Sequence, residues 1–148
     1  MIIKSVFNNG DFIPRKYTCD GIDVNPEIKI INSPEKARSF VLIVDDPDAP
    51  RGDWVHWVLY NIPSSVEIIE ENSIPKGALQ GMNDFGKVRY NGPCPPSGKH
   101  RYFFKLYAID TTLSFNKIPS KSDILNAIKG HIIEKAELVG VYSRSFYN

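Results

Sequence analysis

Three short runs in this chain are apolar at nearly every position: Ser39-Phe40-Val41-Leu42-Ile43-Val44, Trp57-Val58-Leu59-Tyr60 and Tyr102-Phe103-Phe104-Lys105-Leu106-Tyr107-Ala108-Ile109. Strands whose two faces are both buried belong in the middle of a layered structure, not at its edge. Pro, Gly, Asn and Asp divide these runs from one another, which is the pattern of an all-β domain. The expected strands are Ile2–Phe7, Glu27–Ile31, Ser39–Asp45, Trp54–Ile62, Arg101–Asp110 and Glu137–Ser145. A β-sandwich with one large central sheet is the simplest way to bury them. One helix is signalled. Ser120-Lys121-Ser122-Asp123 offers N-caps with an acid in the first turn, Ile124, Leu125 and Ile128 form an apolar stripe, and Lys129-Gly130 suits a C-terminus. The helix is expected to cover one sheet.

With 148 residues, no repeat and no low-complexity tract, the whole chain, 1–148, reads as a single domain. Its 18 basic and 17 acidic residues balance, which argues against nucleic acid as a partner. No apolar run exceeds the five residues Phe40–Val44, so no stable membrane insertion is expected. The start, Met1-Ile2-Ile3-Lys4-Ser5-Val6, has no long apolar stretch ahead of a small-residue cleavage site, and a cytoplasmic location is expected. Two cysteines, Cys19 and Cys94, are too few for a disulfide framework or a four-thiolate zinc site. Two free thiols is the favoured reading for a cytosolic protein, and a Cys19–Cys94 bridge the alternative, expected chiefly in a hyperthermophile.

Two segments are unusual for pure scaffolding. In Val44 to Trp57 four aspartates, Asp45, Asp46, Asp48 and Asp53, fall within nine residues of a strongly apolar strand. Strict alternation would put Trp54, His56, Val58 and Tyr60 on one face, where His56 could pair with a carboxylate that sets its tautomer. The plainer alternative is that the aspartates are turn formers and His56 is satisfied locally. In Lys87 to Tyr102, Pro93, Pro95 and Pro96 freeze the backbone and leave Cys94 as the one amide donor between Gly92 and Ser97. His100 and Tyr102 follow with shared parity. An isolated N–H, an imidazole and a phenol suit phosphate oxygens. The alternative there is a stiff loop ahead of an aromatic strand with Tyr102 in the core. For Cys94, a role for its backbone with the thiol filling space is favoured over a nucleophile. The third histidine, His131, reads as surface or a local cap.

Taken together, Asp46-Pro47-Asp48-Ala49-Pro50, Trp54-x-His56, Gly81-x-Asn83-Asp84-Phe85-Gly86 and Tyr90-x-Gly92-Pro93-x-Pro95-Pro96-x-Gly98-x-His100-Arg101-Tyr102 resemble the phosphatidylethanolamine-binding protein family, which includes the Raf kinase inhibitor proteins. Tyr17-Thr18-Cys19-Asp20-Gly21 and the ending Ala136-Glu137-Leu138-Val139-Gly140-x-Tyr142 resemble its bacterial and archaeal branch. The resemblance runs from Phe12 to Tyr142. It implies a Greek-key β-sandwich with a large central antiparallel sheet, a smaller second sheet and one or two short helices. It also implies a small anion pocket built from Asp46, His56, Cys94 with Pro95, His100 and Tyr102, walled by Trp54 and Pro47. A cis peptide at Ala49–Pro50 is implied too, as is a homodimer.

Animal members carry a further C-terminal helix beside the pocket. This chain stops at Asn148, six residues after Tyr142, so a more open pocket is expected and membrane-lipid binding is not. No cofactor is expected. The reading is a non-enzymatic binding and regulatory protein for a small anionic or phosphorylated ligand, modulating a kinase or other enzyme. Next stands an inhibitor of a serine protease or carboxypeptidase acting through a surface loop. Last stands a metal-dependent or acid–base hydrolase using Asp46, Asp48, His56 and His100. An acid beside an anion site needs a partner, and Asp46 is expected to accept a hydrogen bond from His56 or His100.

Overall fold

The computed structural model describes residues 1–144. Eight strands form two antiparallel sheets. The smaller contains β1 (Ile2–Lys4), β2 (Ile28–Ile31) and β5 (Ile68–Ile69), in the order β1-β2-β5. The larger contains β3 (Ser39–Asp46), β4 (Trp54–Pro63), β6 (Leu79–Gln80), β7 (Lys99–Ile109) and β8 (Ile132–Ser143), in the order β6-β4-β3-β7-β8. Within this sheet β3, β4 and β6 follow one another, and β7 returns to pair on the free side of β3. That is the Greek-key order, as the resemblance implies.

β3 lies at the centre, with all eight of its residues buried, as its unbroken apolar run requires. Its Phe40, Leu42 and Val44 face the small sheet and pack with Ile3, Ile28 and Ile69. Its Val41 and Ile43 face the other way and pack with Ile124 and Ile128 of α1 (Lys121–Ile128). The molecule is therefore layered as small sheet, large sheet, helix. The helix begins as expected. The Ser120 hydroxyl accepts from the Asp123 amide at 3.1 Å, and the Asp123 carboxylate accepts from the Ser120 amide at 3.0 Å. Among the described residues no helix is long and apolar enough to cross a membrane.

Several expected boundaries shift. β1 stops at Lys4, three residues short of Phe7, because only Ile2, Ile3 and Lys4 have partners on β2. β8 begins at Ile132, five residues early, because β7 pairs along its full length down to Ile109↔Ile132. Ser145, the expected end of that strand, lies outside the described residues. β5 and β6 are two residues each, too short to show a period. A 3₁₀ turn at Arg15–Tyr17 is the second short helix.

Candidate functional site

Neighbouring aspartates at the end of β3 part company because alternate residues of a strand face opposite sides. Asp45 points to the helical layer, fully buried, where Lys105 at 3.1 Å and Lys121 at 2.6 Å neutralise it. Lys121 also reaches Asp53 at 2.6 Å, which ties the start of α1 to the acidic loop. Asp46 points the other way, and both of its oxygens are used. Oδ1 accepts from the Asp48 amide at 2.8 Å, and Oδ2 accepts from Nδ1 of His100 at 2.7 Å. Of the two histidines expected to partner Asp46, the structure selects His100. Asp48 is engaged by Arg101, whose side chain donates at 2.9 Å through both Nε and Nη2. Those hydrogen bonds hold the Asp48 carboxyl down to about 2.

Strict alternation along β4 fails between Leu59 and Ile62 and again beside the cavity. Val44 pairs with Trp57 and Asp45 with Val55, so His56 is the extra residue of a bulge. The bulge turns Val58 and Tyr60 into the helix-side core, while Trp54 and His56 stay with the cavity. The shared face expected for Trp54, His56, Val58 and Tyr60 is therefore split in two. His56 is 3% exposed, and its Nδ1 donates to the Asn91 carbonyl at 2.6 Å. Its local partner is thus a backbone carbonyl, not a carboxylate, and Nε2 is the ring nitrogen left for the cavity. Burial pushes the His56 pKa down, against the Asn91 hydrogen bond and the Asp46 charge. On β7, His100 and Tyr102 share a face as their parity requires. Because Asp46 takes Nδ1 of His100, that ring too leaves Nε2 for the cavity.

Residues 83–91 are held against β4 by Asp84, whose amide donates to the Val55 carbonyl at 2.9 Å and whose Oδ2 accepts from the Val55 amide at 2.7 Å, and they are braced from within by Asn83, which is 3% exposed. Its amide nitrogen donates to the Arg89 carbonyl at 2.8 Å and to Oδ1 of Asn91 at 2.7 Å, and its oxygen accepts from the amides of Phe85 and Lys87, both at 3.0 Å. This places the Phe85 ring edge-on to Trp54 at 5.6 Å and to His56 at 5.2 Å.

The result is a cavity of about 290 Å³. Asp46, His56, His100 and Tyr102 form its polar part, with Trp54, Cys94 and Pro95 beside them. Seven of the eight expected residues are thus brought together. The exception is Pro47, which is exposed and outside the lining. Its place in the wall is taken by Ala49, Pro50, Arg51, Phe85 and Pro96. Phe85 stood in a quoted motif and Arg51 was the one cation in the acidic segment, yet only folding shows that they meet. The Tyr102 hydroxyl is buried without a hydrogen-bond partner of normal geometry. Burial pushes its pKa up, and the Asp46 charge adds to the rise. Tyr102 is at once a core residue and a lining residue.

Two expectations are corrected. Cys19 and Cys94 are not free thiols but a disulfide, closed across 75 residues. The Cys19 amide donates to the Pro93 carbonyl at 3.1 Å, which sets the two segments side by side. No cis peptide occurs among the described residues, so Ala49–Pro50 is trans. Among the described residues no three His, Cys, Asp or Glu side chains are grouped as metal ligands would be.

Compared with known families, residues 3–143 match the profile of the phosphatidylethanolamine-binding proteins. The chain belongs to that family. It is 49% identical over 150 residues to UPF0098 protein PH1269 of Pyrococcus horikoshii, covering 96% of this chain and 76% of the relative. A UPF0098 protein of Methanothermobacter thermautotrophicus is 48% identical over 143 residues, covering 93% of this chain and 95% of the relative. Among solved structures, the phosphatidylethanolamine-binding protein homologue CT736 of Chlamydia trachomatis superposes with a TM-score of 0.93 at 41% identity, over 97% of each chain. YbcL of Escherichia coli, called a member of the mammalian family, gives 0.88 at 30% identity, over 95% of this chain and 96% of that one. The phosphatidylethanolamine-binding fold thus accounts for the two-sheet architecture, and its motif residues surround the cavity.

Proposed function

We propose that this protein is a non-enzymatic binding module. Its cavity takes phosphate or a phosphorylated head group, and it recognises such a group on a small molecule or protein so as to modulate a kinase or other enzyme. One observation carries the reading. Two imidazoles, each anchored at Nδ1, offer Nε2 to the same cavity, while the nearby Asp46 has both oxygens already occupied. An anion entering there meets the Arg51 guanidinium and the Nε2 edge of His100, whose ring is held at Nδ1 by Asp46. His56, kept neutral by burial, is suited to accept the proton of a hydrogen phosphate at Nε2. The apolar remainder, chiefly Trp54, Phe85 and the prolines, excludes water and strengthens these contacts. Family membership supports a binding protein of this fold.

The test is calorimetric titration with inorganic phosphate and with phosphoethanolamine between about pH 5.5 and 8. Affinity is expected to fall as pH rises, as for an anion site whose donors include imidazole. His100→Ala is expected to weaken binding by about 1.5–3 kcal/mol. Affinity that is flat across this range and indifferent to His100→Ala would overturn the proposal.

A further inference from the structure

A second cavity, of about 240 Å³, lies on the other side of the segment that carries Tyr90 and Asn91, and nothing in the pocket just described uses it. It is below the range typical of drug-sized ligands and suits a monosaccharide-sized guest. Trp57 and Tyr90 line its floor, their rings edge-on at 5.5 Å. The Trp57 indole N–H donates to Oε1 of Gln80 at 2.8 Å. That bond fixes which way the Gln80 amide points, so its NH₂ group is left as a donor in the cavity.

On the rim, Arg89 donates through Nε to the Tyr90 carbonyl at 3.0 Å and through Nη2 to the Asp23 carbonyl at 3.4 Å. Both partners are backbone oxygens. Among the described residues no carboxylate lies within salt-bridge distance of it, so an exposed guanidinium is held in place by two carbonyls without an ion-pair partner. Asn72, with φ 53°, and Asp23, with φ 61°, two residues in the left-handed region, also line the cavity. Oδ1 of Asp23 accepts from the Gly92 amide at 2.7 Å, which leaves Oδ2 as an acceptor.

An anchored guanidinium without an acid calls for a carboxylate. Amide donors and one carboxylate acceptor around an aromatic floor call for hydroxyl groups, which both donate and accept. We infer that this cavity is a second binding site, for a small polyhydroxylated carboxylate of the hexuronate class. The carboxylate pairs with Arg89, and the hydroxyls bond to Gln80, Asn72 and Asp23.

The molecule supplies its own reporters. Its two tryptophans divide between the cavities, Trp54 in the first and Trp57 in the second. The experiment is an indole ¹⁵N–¹H titration of the intact, oxidised protein with sodium glucuronate, with glucose and acetate as controls lacking the charge or the hydroxyls. Saturable movement of the Trp57 signal by glucuronate, with Trp54 unmoved and both controls at least tenfold weaker, is expected. Arg89→Gln is expected to weaken the response tenfold or more while the Trp54 response to phosphate persists. Should Arg89→Gln disturb the fold, Asn72→Gly, which tolerates the same backbone angle, is expected to weaken it as well. No saturable Trp57 response into the tens of millimolar, a response unchanged in both variants, or movement of Trp54 instead would overturn the inference. Because phosphate is read at Trp54, failure here is separable from failure of the first site.

Discussion

Replacing Cys19 and Cys94 together by serine removes a bridge that closes a loop of 75 residues. In the chain-entropy description such a loop restricts the unfolded state by about 4.5 kcal/mol. The native state has other reasons to keep its shape there. The Cys19 amide holds the Pro93 carbonyl at 3.1 Å, and the Tyr90 hydroxyl donates to the Tyr17 carbonyl at 2.7 Å. Gly92 packs so tightly that a Cβ on it would lie 2.0 Å from that same Tyr17 oxygen. The loss therefore falls on the unfolded chain, and the double variant keeps its fold. With an unfolding entropy of about 2.1 cal/mol/K per residue, a chain of 148 residues should lose about 14 °C in melting temperature. Scanning calorimetry of the oxidised protein beside Cys19→Ser/Cys94→Ser measures this directly. A drop below about 4 °C, equivalent to roughly 1 kcal/mol, would refute the loop-closure reasoning. A much larger drop with altered near-ultraviolet dichroism would show that native packing around Cys94 depends on the bridge itself.

Three further outcomes follow from named contacts. Asn83→Ala strips partners from part-buried backbone groups of the 85–89 segment, and should cost about 1–3 kcal/mol in urea unfolding. Because burial depresses the His56 pKa, its contribution to stability is intact above the unfolded value of about 6.5 and is lost as pH falls from there toward the folded pKa. The urea midpoint should accordingly drop between about pH 7.5 and 5, by less in His56→Gln than in the parent, and equal drops would count against the assignment. Ser120→Ala removes one half of the capping box of α1 and should cost about 1 kcal/mol, read as a shift in thermal midpoint without change at the cavity.

Local patterns decided a good part of this protein before any tertiary contact is considered. The unbroken apolar run of β3 dictates burial on both faces and so a central place. The spacing of His100 and Tyr102 puts them on one face, and Ser120 with Asp123 starts a helix, because each rule depends on residues within one strand or one turn. Family motifs likewise named most of the residues around the first cavity.

What folding alone decided depends on where distant segments meet. The bulge at His56 arises from the register between β3 and β4, and it sends Val58 and Tyr60 away from the side chain they were expected to accompany. The pairing of Cys19 with Cys94 depends on a loop and a 3₁₀ turn 75 residues apart lying side by side. Phe85 and Arg51 displace Pro47 from the wall because Asp84 pins its segment to Val55 at the start of β4 and the acidic turn leaves Pro47 in solvent. Chain periodicity carries direction within an element; only closure of the two sheets on one another supplies position between elements.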